Sequence, residues 1–195
     1  MTIVPNETYH IYNQGNNGEK LFYGDEDYII FLKLCRKYIS PNCDILAYCL
    51  MPNHFHFLIH TNENSARTRQ VGHLNLCELS NGFRLLQSTY AQYINNRENR
   101  TGSLFRQKIK AKSLDSGDEN YGWIAFNYIH LNPLKAGLVE DLDYWKFSSF
   151  LDYAGVRSGT LCNKELAYEL LTVDTKNFIK DTYSEFSEEK IKKIF

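Results

Sequence analysis

No Cys-x-x-Cys spacing occurs in the 195 residues, and the five cysteines, Cys35, Cys43, Cys49, Cys77 and Cys162, are odd in number and scattered. That excludes a disulfide-framed scaffold and a thiolate zinc site, and leaves reduced thiols in a core. No apolar run approaches the roughly 18 residues of a membrane span, and Met1-Thr-Ile-Val-Pro-Asn-Glu7 has neither the charged nor the apolar region of a signal peptide. The expectation is a cytoplasmic protein without a membrane role. Surplus positive charge is also missing: 22 Lys and Arg face 23 Asp and Glu, a net charge of −1. This argues against a dedicated duplex-binding protein but permits local basic patches. There are no internal repeats or low-complexity runs.

What is present is enough for one well-buried domain, or one domain with a helical tail. Hydrophobic residues make up 43% of the chain, which argues against disorder. Fourteen tyrosines and twelve phenylalanines exceed the needs of a core this size, so some tyrosines are expected to be exposed or functional.

Tyr9 to Asn13 alternates as a first strand and runs into a Gly/Asn loop. Asp25 and Asp27 open a helix to Tyr38, which Ser40-Pro-Asn42 stops. Asp44 to Met51 is a strand, Pro52-Asn53 a tight turn, and Phe55 to Thr61 the partner strand. Asn64 to about Asn96 has helical spacing, with Leu74, Leu76, Leu79, Phe83, Leu86 and Tyr90 in its stripe and Gly72 and Gly82 as candidate breaks. Arg97 to Gly102 is a polar loop, and Gln107 to Leu114 an alternating strand with Lys108, Lys110 and Lys112 on one face. Asp115 to Asn120 is a loop, and Tyr121 to Leu131 a helix ended by Pro133. This order gives an α+β, ferredoxin-like split βαβ layer: an antiparallel sheet with helices on one face and the other open. The domain is placed at residues 1–150. Tyr144 to Phe150 reads as aromatic packing, and residues 151–195 as a C-terminal helical appendage of unassigned role.

The stretch Met51-Pro-Asn-His-Phe-His-Phe-Leu-Ile-His60 is the most informative. Residues two apart on a strand share a face, so His54 and His56 point together while Phe55 and Phe57 point away. Their Cα atoms would lie roughly 6–7 Å apart, from which two ring nitrogens can reach one metal ion at about 2 Å each. His60 is in phase but about 13 Å from His56. A third donor is available in Phe126-Asn-Tyr-Ile-His-Leu-Asn-Pro133, where Tyr128 and Asn132 share a helix face. The Asn132 carbonyl oxygen suits Mg²⁺ or Mn²⁺, and Tyr128 one turn away could act as a nucleophile on a metal-polarised phosphodiester. Taken alone, Tyr128 reads first as a core tyrosine, and it is the coincidence with the histidine pair that raises the nucleophile reading; His130, on another face, reads as structural.

Four segments in order, Tyr9-His-Ile-Tyr-Asn-Gln-Gly15, Met51-Pro-Asn-His-Phe-His-Phe-Leu-Ile59, Ser103-Leu-Phe-Arg-Gln107 and Tyr128-Ile-His-Leu-Asn-Pro-Leu-Lys-Ala-Gly-Leu-Val139, resemble the REP-associated tyrosine transposases, single-tyrosine HUH transposases. The likeness covers roughly residues 8 to 150. It implies an HUH nuclease that cleaves and rejoins single-stranded or hairpin DNA with a divalent metal, Mg²⁺ or Mn²⁺. On this match His54 and His56 are the HUH pair, Tyr128 forms a 5′-phosphotyrosine and frees a 3′-hydroxyl, and Asn132 is the third ligand. Gln14 departs from the pattern, standing where arginine is common. Related transposases act as homodimers or as monomers, and both remain open.

Arg97, Arg100, Arg106, Lys108, Lys110 and Lys112 face only Glu98 in the same stretch, which makes a phosphate-tracking stripe or an ordinary solvated face. Arg67, Arg69 and Arg84 extend it. Two other readings compete with the transposase: a domesticated nucleic-acid-binding module without turnover, and a metal-dependent phosphodiesterase that uses water.

Overall fold

The computed structural model describes residues 2–115, 120–184 and 186–194. In chain order the elements are β1 (Thr8–Gln14), α1 (Asp25–Tyr38), β2 (Cys43–Met51), β3 (His54–Thr61), α2 (Glu63–Ala66), β4 (Thr68–Val71), β5 (Leu74–Cys77), α3 (Glu78–Arg97), β6 (Lys110–Ser113), α4 (Tyr121–Lys135), α5 (Phe150–Tyr153), α6 (Lys164–Leu171), α7 (Phe178–Thr182) and α8 (Glu188–Ile194). Four strands form an antiparallel sheet in the order β2-β3-β1-β6, the ferredoxin-like arrangement read from the sequence. No helix among the described residues is long and apolar enough to cross a membrane.

The period-2 alternation of β1 and β3 sends odd residues to one face and even residues to the other. Tyr9, Ile11, Phe55, Phe57 and Ile59 join Phe31 and Cys35 of α1 and Phe83, Leu86 and Tyr90 of α3 in one buried cluster. Rings of Phe31, Phe55 and Tyr90 meet at 5.0–5.3 Å, a range in which tilted and edge-on pairs are favourable. α1 and α3 therefore cover one face, as expected.

The other face is not bare. Leu46, Cys49, Met51 and Leu58 pack against Ile124, Ala125, Phe126 and Ile129 of α4, and Phe150, Tyr153, Ala167, Leu171 and Phe178 join the same cluster. α4 is buried along most of its length, which leaves it no solvated stripe on the sheet side. The segment after residue 150 thus packs onto this second core. Residues 147–149 also pair with the outer edge of β2, through Leu50 N to Phe147 O at 2.9 Å and Ser149 N to Tyr48 O at 3.0 Å. Phe147 stacks on Tyr28 at 3.8 Å, so the aromatic stretch around Trp145 does serve packing.

The long helix expected from Asn64 to Asn96 divides. Residues 68–77 form a two-stranded β-ribbon, β4 and β5, whose two-residue turn opens on Gly72 at a positive φ of 60°. Leu74, counted into the helical stripe, is 61% exposed on this ribbon. Gly82 is not a break but a contact: a Cβ there would collide with the Tyr38 carbonyl oxygen at the end of α1. β6 is shorter than expected, so Lys108 precedes it. Of the Asp115–Asn120 loop, residues 116–119 lie outside the described residues.

Pro133 does not end α4, which runs on to Lys135. Proline at 133 removes the amide that would bond the Ile129 carbonyl. Asn132 compensates: its Nδ2 donates to the Tyr128 carbonyl at 2.9 Å and to the Ile129 carbonyl at 3.3 Å.

Candidate active site on the sheet face

The even-numbered face of the central strands collects the polar residues. In register, Gln14 stands opposite His54, Tyr12 opposite His56 and His10 opposite Leu58; on the far side of β1, Lys110 faces Tyr12 and Lys112 faces His10. Directly opposed residues share a face. One surface therefore carries both histidines of the His-x-His pair, Gln14, Tyr12, His10 and two exposed lysines, and α4 crosses it over β2 and β3.

The imidazole rings of His54 and His56 lie 5.0 Å apart, centroid to centroid, at 85°. Each has a partner for Nδ1. His54 Nδ1 is 2.7 Å from Asn53 Oδ1, an acceptor, which places the proton on Nδ1 and the lone pair on Nε2. His56 Nδ1 is 2.9 Å from His10 Nε2 in a fully buried contact. With His56 as donor of this pair its Nε2 carries the lone pair too, the arrangement in which a ring is oriented for ligation through Nε2. Burial holds both rings below the ordinary histidine range, and His10 and His54 push His56 down further. Both are neutral at pH 7 and chemically suited to a metal ion.

Tyr128 is half-buried on α4, and burial raises its phenol above the usual tyrosine range. Asn132 lies one turn further, its amide nitrogen engaged by the helix backbone, which leaves its carbonyl oxygen as the end not used by the helix. Among the described residues no three His, Cys, Asp or Glu side chains gather as a metal cluster. A third protein donor would thus be of another type, and an amide oxygen is one. His130 is buried, its Nε2 2.7 Å from Ser149 Oγ, as a structural histidine would be. His60 faces Thr8, 3.3 Å from its hydroxyl, well away from the pair.

The basic stripe sorts into different environments. Arg97 has its guanidinium on the buried Asp27 carboxylate, with Nη2 2.9 Å from Oδ2, and on Glu98 at 2.7 Å, and it lies over Tyr93. These contacts tie α3 to α1. Arg100 pairs with Glu19 at 2.7 Å. Arg69 reaches Glu78 at 3.4 Å, and Arg84 bonds Asn81. Arg106, Lys108, Lys110 and Lys112 are exposed, the last two on the histidine face.

Two residues of this constellation, His10 and Asn53, received no role from the sequence. Asn53 was read only as a turn residue, and His10 as one position in an alternating strand. The signal was available for His10: once β1 is paired beside β3, a histidine in even phase falls on the face of the pair.

Comparison with known proteins bears on this arrangement. Among curated protein sequences there is no match. A solved structure of a REP-associated tyrosine transposase bound to a REP hairpin superposes with a TM-score of 0.59 at 16% identity, covering 80% of this chain and 83% of that one. A bacterial tRNA(His) guanylyltransferase-like protein in complex with GTP (TM-score 0.40, 11% identity, 72% of each chain) and the tRNA(His) guanylyltransferase of Saccharomyces cerevisiae (0.39, 11%, 100% of this chain and 79% of that one) are more distant. The first shares the fold. The sequence model of the family described as "Transposase IS200 like" matches residues 3–130, a span that includes β1, the histidine pair and Tyr128. With the family match covering about two thirds of the chain, from before β1 into α4 and ending short of Asn132, the chain belongs to the IS200-like transposases.

Proposed function

We propose that the chain cuts and rejoins single-stranded DNA next to a hairpin, with Tyr128 as nucleophile and a divalent ion, Mg²⁺ or Mn²⁺, as cofactor. The observation that carries this reading is the juxtaposition of two neutral, Nδ1-anchored imidazoles on the one sheet face that the Tyr128 helix crosses. Ring centroids 5.0 Å apart are compatible with two nitrogens each about 2 Å from a shared ion. His54, His56 and Asn132 would hold it, and when bound it supplies Lewis-acid polarisation of the phosphodiester.

The chain's own part is a displacement at phosphorus. The Tyr128 oxygen forms a bond to phosphorus while the bond to the 3′-oxygen breaks; the phenol gives up its proton, and the departing oxygen takes one up. The products are a 5′-phosphotyrosine and a free 3′-hydroxyl, and attack by a 3′-hydroxyl on that link rejoins a strand. Because burial raises Tyr128, the phenol keeps its proton until the step itself. Exposed Lys108, Lys110 and Lys112 suit the flanking phosphates, with Arg100 contributing once released from Glu19. A relative of the same fold carrying a bound REP hairpin favours a folded strand over plain duplex.

A labelled single-stranded hairpin incubated with Mn²⁺ tests this. An SDS-stable protein–DNA adduct is expected with the wild type and none with Tyr128→Phe. Cleavage without adduct would identify a phosphodiesterase that uses water, and binding without cleavage a nucleic-acid-binding module.

A further inference from the structure

The segment Ser103-Leu-Phe-Arg-Gln107 has so far been given no specific task, yet it is strapped to the end of β1. Leu104 and Phe105 are buried anchors, 1% and 6% exposed. Asn16 N donates to Leu104 O and Arg106 N to Gln14 O, each at 2.9 Å, and Asn13 Nδ2 donates to Arg106 O at 3.0 Å. The backbone at Arg106 is therefore fixed while its side chain is exposed.

The guanidinium rests on Gln14. With its amide oxygen turned toward it, the Gln14 side chain lies directly against the guanidinium. Gln14 is the residue opposite His54 on the histidine face, and such neighbours have Cβ atoms about 5 Å apart. The guanidinium thus stands at the rim of the histidine pair. Its partner also matters. Arg97 and Arg100 are neutralised by carboxylates, whereas Arg106 is held by a neutral amide and has no ion pair among the described residues. An amide oxygen orients a guanidinium without cancelling its charge, and the planar fork keeps donors for a phosphate.

We propose that Arg106, positioned by Gln14, grips the phosphate at which the strand is cut and stabilises the charge that grows on its non-bridging oxygens. The lysines, by contrast, hold the flanking backbone. This rests on the cleavage reading above and adds one residue to its chemistry.

The test pairs a rate with a binding scan. Under saturating hairpin and Mn²⁺, Arg106→Gln should slow adduct formation about 100-fold, the scale of losing one donor to a developing oxyanion, with thermal unfolding little changed and hairpin affinity lowered only as far as a neutral linkage at the cut position lowers that of the wild type. The exchange variant Gln14→Arg/Arg106→Gln, which returns a guanidinium to the same place, should recover much of that loss. In the scan, single uncharged methylphosphonate linkages are placed one at a time in the flanking strand. The wild type should bind more weakly with the neutral linkage at the cut position, and Arg106→Gln should be indifferent there. An unchanged rate at saturation, or a scan identical in the two proteins, overturns the assignment. Absence of any adduct in the wild type would strike the cleavage reading instead, and the scan would still show whether Arg106 holds a single phosphate.

Discussion

At the scale of single residues, the site depends on nitrogen tautomers. His10 is fully buried, 2.9 Å from the ring it orients, and too enclosed to touch DNA. Replacing it with Phe should therefore weaken Mn²⁺ binding, measured by titration calorimetry, by roughly 10–100-fold, as expected for a lost outer-sphere partner. Hairpin affinity without metal should stay unchanged, and raised Mn²⁺ should restore adduct formation; failure of both would mean that His10 only fills space. Asn132 has two duties that a substitution can separate. Asn132→Asp keeps an oxygen donor but loses the amide protons that serve the Tyr128 and Ile129 carbonyls. It should retain Mn²⁺ binding while lowering stability by about 1 kcal/mol, whereas Asn132→Ala should lose both. The histidine pair was legible in the sequence because strand alternation is a strict rule. The Arg106–Gln14 contact was not, because it depends on which segment lies beside which, a tertiary fact; Asn53 beside His54 shows only once the side-chain rotamers are in place.

At the scale of elements, local pattern predicted β1, α1, β2 and β3 to within about a residue or two, the usual margin at element ends. The failure fell between Thr68 and Cys77, where a stretch expected to be helical proved to be a β-ribbon with Leu74 exposed. There the positive φ at Gly72 selected a tight turn, and no burial was available to reward a helix. Gly82 was misread for the opposite reason: a glycine in a helical run suggested weakness, but it marks where α3 lies against the end of α1. Gly82→Ala should accordingly destabilise the fold by about 1–3 kcal/mol despite its better helix propensity. Chemical denaturation would show it, and a stabilised variant would contradict the packing argument. Pro133 is a third case, since the side chain before it supplied the hydrogen bonds its ring removes.

At the scale of the whole molecule, the α1–α3 layer is fastened by one buried charge. Burial alone would raise the Asp27 carboxyl, but Arg97 and the Tyr23 and Gly24 amides outweigh it and hold it below the ordinary carboxylate range. A carboxyl depressed in the folded state contributes stability that is fully present above its unfolded value, about 4, and is lost as pH falls through the lower folded value. Acid unfolding should thus steepen below about pH 4, and Asp27→Asn should flatten that limb in a pH series of denaturation curves. Arg97→Ala, which strands the carboxylate, should cost about 3 kcal/mol at pH 7 while leaving hairpin affinity unchanged; a drop in affinity instead would return Arg97 to the phosphate-binding set.

The sheet carries an aromatic core on one side and, on the other, imidazoles and lysines beside the second core under α4, and β1 contributes to both sides. Sliding β1 by a single position against β3 would bury His10 and Tyr12 among phenylalanines and strand Tyr9 and Ile11 beside the histidine pair. The alignment that fills the aromatic core is thus the same one that gathers the imidazoles, so a correctly packed β1 brings them together without a separate step.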